Sequence, residues 1–351
     1  MTLADRLRAR IAREGPLRFD AYMEAALFDP EDGYYARGPA IGRAGDFATA
    51  TNEPAFARCL ARFARDVRAR LGDPPGFRVI DAGGGTGALA SALAAEGFAV
   101  GVVERAPGLA AAQRARGLDT RPAIGDFAPI TGVVVANELL DAFPARRVEA
   151  TAEGFVELGV GLDAAGRFVE VPLGPADAAL AALVGDLPSG CRAEASPAAL
   201  AWIADLSSAL TRGVAIVLDY GGAAHEIRGE HLPRGTLRAY RQHAIVDPLA
   251  DPGSADLTAD VDFDAVAEAG RRAGFAVAGP VNQGSFLLGN GLVDEMEAAR
   301  VSGDLEGLFA MRTLALPGGM GERFKVAGLA RGMRAEGLSG FERPRPGPQR
   351  S

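Results

Sequence analysis

Three observations predict an α/β protein. Apolar strand-like runs alternate with helical patterns from Phe77 to Leu329, a glycine loop ends the first run, and helices precede it. The expected architecture is an open, mostly parallel Rossmann-like sheet. It carries an N-terminal helical cap (1–75) and antiparallel hairpins inserted at 146–195. The sheet core takes 76–145 and 196–331, and 332–351 read as a disordered tail.

Leu3, Leu7 and Ile11 recur at helical spacing among charged residues, so 1–14 read as an amphipathic helix ended by Gly15-Pro16. Asp20 is placed as the N-cap of a helix to Leu27, and 29–46, rich in Gly, Pro and Tyr, reads as loop. A helix from Glu53 to Leu71 closes at Gly72-Asp73-Pro74-Pro75-Gly76. The strand Phe77–Ala82, a helix over 86–96 and the strand Ala99–Val103 follow. Pro107 opens the next helix and Gly117 stops it. A weak strand lies near Arg121–Ile124, and Gly132–Ala136 is an apolar strand. From Arg146 to Leu173 the apolar residues come in short segments parted by Gly and Asp, which is a hairpin pattern. A helix over 197–210 and the strand Val214–Leu218 resume the core. Residues 222–261 read as a long loop with little periodicity, a length that in a compact enzyme is functional or disordered. Helices over 264–273, 293–301 and 305–314, a strand at 275–277, a short segment from Phe286 and a last strand over 324–329 complete the core.

The bulk properties exclude several classes. A net charge of −8 over 351 residues suits a basic partner better than a bare phosphate backbone, so no nucleic acid is expected. Cys59 and Cys191 form no Cys-x-x-Cys pattern and read as reduced thiols. His225, His231 and His243 share the long loop but match no standard zinc spacing, so no metal is expected. No apolar run reaches the ~18 residues of a membrane span, and the arginine-bearing start has no apolar signal core; cytoplasm is the expected compartment.

The chemistry concentrates at Asp81-Ala82-Gly83-Gly84-Gly85-Thr86-Gly87, a strand entering a helix through glycines. Glycine admits positive φ and close ligand approach, and the helix start offers free N–H groups. Two cofactors compete for such a turn. Gly83, Gly85 and Ala88 fit a dinucleotide loop, whereas Asp81, Gly83, Gly85 and Gly87 fit the loop that binds S-adenosyl-L-methionine. Asp81 would repel a pyrophosphate and suits the cationic amino group of S-adenosyl-L-methionine, which is therefore the expected cofactor. Glu104 ends the second strand, placed for the ribose hydroxyls. Asp126, after the third, is placed for the adenine amine. Asn137-Glu138, after the fourth, stands beside the transferred methyl. Each alone also reads as a surface acid, a turn or a helix cap; their order on successive strands makes the joint signal. Tyr34, Tyr35, Tyr220 and Tyr240 either line a pocket or are half-buried aromatics, and the sequence does not decide.

Further blocks carry a resemblance: Gly33-Tyr34-Tyr35, Gly45-Asp46-Phe47, Asn137-Glu138-Leu139-Leu140-Asp141-Ala142-Phe143-Pro144, Asp219-Tyr220-Gly221, Val261-Asp262-Phe263 and Gln283-Gly284-Ser285-Phe286-Leu287. With the glycine loop they resemble the MidA-type class I methyltransferases, the group that includes the mitochondrial complex I assembly-factor arginine methyltransferase. The family's loop usually reads Glu-x-Gly-Pro-Gly-x-Gly; Asp81 and Gly84 depart from it. Asn52-Glu53-Pro54 and Asp260 depart elsewhere, at positions that bear on substrate identity.

The resemblance implies methylation of an arginine side chain in a protein partner, with a respiratory-complex subunit as one candidate. It also implies that Asp46 and Thr49 close over the cofactor from the N-terminal region. Carboxylates beside the methyl would offset the meeting of two cations, sulfonium and guanidinium. Glu138 is the first catalytic candidate and Asp141 the second, with Asn137 beside them. A small-molecule or other-residue methyltransferase and a non-catalytic assembly chaperone on the same fold stay open. A nicotinamide oxidoreductase is a distant alternative, for which no catalytic residues are seen.

Overall fold

The computed structural model describes residues 1–37, 50–316 and 319–342. The cap is built from α1 (Leu3–Glu14), α2 (Phe19–Phe28) and α3 (Pro54–Arg70). Thr2 caps α1 reciprocally with Asp5, and Leu3, Leu7 and Ile11 form its buried stripe. Asp20 is not the N-cap of α2. Arg18 takes that position, and the Asp20 carboxylate in the first turn accepts from Ala21 N–H and the Arg18 guanidinium.

Seven strands make the central sheet: β1 (Arg78–Ala82), β2 (Ala99–Val103), β3 (Asp119–Arg121), β4 (Ile130–Asn137), β5 (Leu210–Gly222), β6 (Ala276–Asn282) and β7 (Phe324–Arg331). Their order is β6-β7-β5-β4-β1-β2-β3, and the short Val261–Asp262 adds a parallel pairing at the end of β5. β7 runs antiparallel to both neighbours, while β5, β4, β1, β2 and β3 pair in parallel. The central helices are α4 (Ala88–Ala95), α5 (Pro107–Ala115), α6 (Pro197–Ala209) and α7 (Phe263–Arg272). Strand order reverses between β1 and β4, which opens a crevice at their carboxyl ends.

Period-2 alternation decides which layer each side chain joins. Val133 and Val135 pack with Phe56 and Phe63 on the α3 face, while Val134 and Ala136 pack with Ile203 and Phe263 on the α6–α7 face. Both faces are covered, so Val214 to Leu218 reads as an unbroken apolar run.

The insertion forms a separate antiparallel sheet from Arg146–Thr151, Gly154–Leu162, Phe168–Pro175 and Arg192–Ala195. It recruits Leu17–Arg18 from the cap, which pairs with Gly154–Leu162. Tyr22, Met23, Val160, Phe168 and Leu257 share one core cluster, so cap and insertion are packed together.

Three further expectations need correction. Residues 222–261 are not one loop: they hold a helix at Ala224–Ile227 and a small sheet of Ala244–Ile245, Arg238–Arg241 and Asp256–Thr258. Strands of two to four residues are too short to show a period, and Arg238 is held by Asp260 rather than by an apolar pattern. β3 comes earlier than Arg121–Ile124, because its polar Asp119-Thr120-Arg121 gives no apolar signal; Ile124–Phe127 is a 3-10 turn. Residues 332–342 are packed: Leu338 is fully buried and Phe341 sits 5.4 Å from the Phe286 ring. Residues 343–351 lie outside the described residues. Among the described residues no helix is long and apolar enough to cross a membrane.

Candidate functional site

The turn after β1 is shaped by backbone. Gly83, Gly85 and Gly87 adopt φ of +77°, +50° and +75°, a region other residues enter only with strain. Gly84 is tight for a different reason: a Cβ there would lie 2.3 Å from Val102 Cγ1. Gln113 of α5, fully buried, donates from Nε2 to Gly85 O at 2.8 Å. Glu104 accepts from Gly85 N–H at 3.2 Å through Oε2 and from Ala106 N–H at 2.8 Å through Oε1. The second strand end is thereby locked to the loop.

Gly83, Gly84, Gly85 and Glu104 line a cavity of about 460 Å³, within the usual range of small-molecule sites. Asp81, Gly83, Gly85, Glu104, Asn137 and Glu138 all reach it. Asp81 Oδ2 is buried and has no hydrogen-bond partner. Burial, and then the neighbouring Glu104, push its carboxyl up to about 7. Burial also raises Glu104. An unpartnered carboxylate oxygen above a glycine cradle fits a ligand with a cationic amino group.

At the other end, Glu138 has φ +49°, rare for a non-glycine residue, and its N–H donates to Leu218 O at 2.9 Å. Asn137 Nδ2 donates to Glu138 Oε1 at 3.0 Å, and Asn137 Oδ1 is buried without a partner. Asp219, fully buried at the end of β5, fixes this turn. Its Oδ2 accepts from the N–H groups of Leu139, Leu140 and Asp141 at 3.2, 2.9 and 3.3 Å, and its Oδ1 from Tyr220 N–H. Burial and Glu138 lift its carboxyl to about 8. The cap closes over this end: Tyr35 lines the cavity, donates its hydroxyl to Asp256 Oδ1 at 3.0 Å and stacks on Phe28.

Three site expectations change. Asp126 does not line the cavity, although Gly125 does. Its Oδ2 accepts from Ala123 N–H at 3.0 Å and closes the 3-10 turn. Asp141 does not line it either. It is buried behind the turn, where burial, then Asp219, Asp256 and Glu138, hold its carboxyl well above the usual range. Gly87 serves as the left-handed N-cap of α4, next to Thr86, which does line the cavity. Asp46 and Thr49 lie outside the described residues; Thr51 lines the cavity. Sequence reasoning left Tyr35 open, saw Asp219 only as part of a motif, and missed Phe28, Gln113 and Trp202. Gln113 alone had a local signal, a polar side chain in the stripe of Leu109 and Ala110.

Comparison with known proteins shows the family of the chain and its cofactor. The profile of an S-adenosyl-L-methionine-dependent methyltransferase family matches residues 59–281. The chain belongs to this methyltransferase family. A crystal structure from Burkholderia thailandensis with S-adenosyl-homocysteine bound is 36% identical, with a TM-score of 0.85 over 97% of this chain and 92% of that one. The mitochondrial protein arginine methyltransferase NDUFAF7 homolog of Drosophila melanogaster is 28% identical over 97% of this chain and 87% of its own length. Its human counterpart is 27% identical over 94% and 84%. The resemblance to MidA-type methyltransferases therefore holds, S-adenosyl-L-methionine is the cofactor, and the fold is the Rossmann-like methyltransferase sheet.

Proposed function

We propose that this methyltransferase modifies an arginine side chain of a protein, with Glu138 as the residue that receives the guanidinium. The observation that carries the reading is the cluster of carboxyl groups at the Glu138 end of the cavity. Glu138 lines it, and Asp141 and Asp219 lie buried behind, both held above the ordinary carboxylate range by burial and by neighbouring carboxylates, Asp219, Asp256 and Glu138 for Asp141 and Glu138 for Asp219. A planar cation entering beside Glu138 would relieve that repulsion. The names of the relatives, protein arginine methyltransferases, support the same class.

When bound, the cofactor supplies an electrophilic methyl group. The chain's own task is positioning. A guanidinium releases its proton only above about pH 12 in water, so a carboxylate must orient the planar group and accept that proton. Asn137 fixes one Glu138 oxygen, and the Asp219-held turn fixes the Glu138 backbone. Tyr35, braced by Asp256, forms the wall from the cap. The net charge of −8 suits a basic partner segment.

The test is to incubate the protein with methyl-tritiated S-adenosyl-L-methionine and a protein extract, hydrolyse the protein fraction and separate the labelled amino acids. Label in methylarginine supports the reading. Label confined to other residues or to small molecules refutes the acceptor class and leaves the methyltransferase assignment standing.

A further inference from the structure

Beyond the glycine loop, Glu104 and Glu138, the cavity is lined by Pro122, Ala123, Ile124 and Gly125, and by Phe143 with Trp202 and Asp205 of α6. α6 packs on the Ile124–Phe127 turn, which brings these two groups of lining residues together. Trp202 and Asp205 are three residues apart and share one helix face. Trp202, the only tryptophan of the chain, pairs with Phe143 at 6.4 Å between ring centroids. Asp126, the acid expected to meet the adenine amine, spends one carboxylate oxygen on Ala123 N–H and stays outside the lining.

If Asp81 takes the amino-acid end of the cofactor, Glu104 the ribose and Glu138 the methyl, as their order on successive strands implies, the lining that remains falls to the adenine. We infer that α6 builds the adenine end of the site: Trp202 with Phe143 supplies the aromatic wall, and Asp205 accepts the exocyclic amine. The inference rests on S-adenosyl-L-methionine being the cofactor and is independent of the methyl acceptor. An aromatic wall takes any purine face, whereas the carboxylate distinguishes an amine donor from a carbonyl at the same ring position. Discrimination among purines therefore resides in Asp205.

The test titrates the full chain with S-adenosylhomocysteine and with S-inosylhomocysteine, which replaces the amine by a carbonyl. Calorimetry measures occupancy and tryptophan emission is read in parallel. Emission should change saturably, with the same midpoint as the heat. S-inosylhomocysteine should bind about tenfold more weakly or worse, since a carbonyl would face a carboxylate. Asp205→Asn, whose amide can donate to a carbonyl, should shrink that gap to about threefold or less, while Asp126→Asn leaves it intact. Trp202→Ala should weaken both ligands by about tenfold. Calorimetric saturation with unchanged emission overturns the placement of Trp202. A gap that closes in Asp126→Asn and persists in Asp205→Asn moves the amine to the 3-10 turn and overturns the role of Asp205. No heat with either ligand in the wild type removes the cofactor premise, and this inference with it.

Discussion

The two ends of the cavity are built by different means. The cofactor end is local: Asp81 to Gly87 span one strand end and one turn, and backbone conformation does most of the shaping. The acceptor end is assembled from far apart in the chain. Tyr35 comes from the cap, Glu138 from the β4 turn, Asp219 from β5 and Asp256 from the small sheet beyond. The first end depends on what a side chain would obstruct; the second depends on a buried carboxylate network. Substitutions should therefore fail differently at the two ends.

The largest effect is expected at Asp219. Asp219→Ala strands the N–H groups of Leu139, Leu140, Asp141 and Tyr220. It should cost roughly 3–5 kcal/mol, seen as a fall of about 10 °C in a thermal melt. A melt within a degree or two of wild type would show that the turn holds itself. Next is the glycine loop. Gly84→Ala drives a methyl against Val102 and should cost roughly 1–3 kcal/mol, with most of it recovered in the Gly84→Ala, Val102→Ala double variant. No recovery would mean that the loop is intolerant for reasons other than that contact.

The pH response separates the ends again. Asp81 is held at about 7, above the roughly 3.9 of an unfolded chain. A raised acid contributes stability below its unfolded value that is lost as pH rises through its folded one. Asp219, at about 8, adds the same sign. The cofactor-free protein should therefore melt lower at pH 8.5 than at pH 6. Ligand binding runs the other way, because a cationic amino group needs Asp81 ionised. Affinity for S-adenosylhomocysteine should fall below pH 7 by up to about tenfold per unit, and Asp81→Asn should flatten that slope. An unchanged slope in Asp81→Asn would place the titrating group elsewhere. The smallest effect belongs to Asp126→Ala, which removes a turn cap and should cost about 1 kcal/mol or less in a denaturant titration.

The same contrast explains what the sequence could reveal. The succession of core strands along the chain and the glycine loop were legible, because parallel strands covered on both faces are continuous apolar runs and a ligand-binding strand-to-helix turn concentrates its glycines. β3 escaped in part, since an edge strand made of Asp119, Thr120 and Arg121 has no apolar face. The sheet within 222–261 escaped because its strands are short and its anchors, such as the Arg238–Asp260 ion pair, are tertiary. Asp141 was read as a site residue because, like Glu138, it follows the fourth strand, but the folded chain buries it away from the cavity lining. Asp219 was seen only as part of a motif. Its work, four backbone N–H groups gathered from two strand ends, exists only in the folded chain.

The most direct test of the account uses one preparation of Glu138→Gln, with S-adenosylhomocysteine affinity and tritium transfer to extract protein measured side by side. The account predicts affinity within about threefold of wild type and transfer lowered by a hundredfold or more, on the order of a lost acid–base group. Parallel loss of affinity and transfer, or transfer that persists, would contradict it.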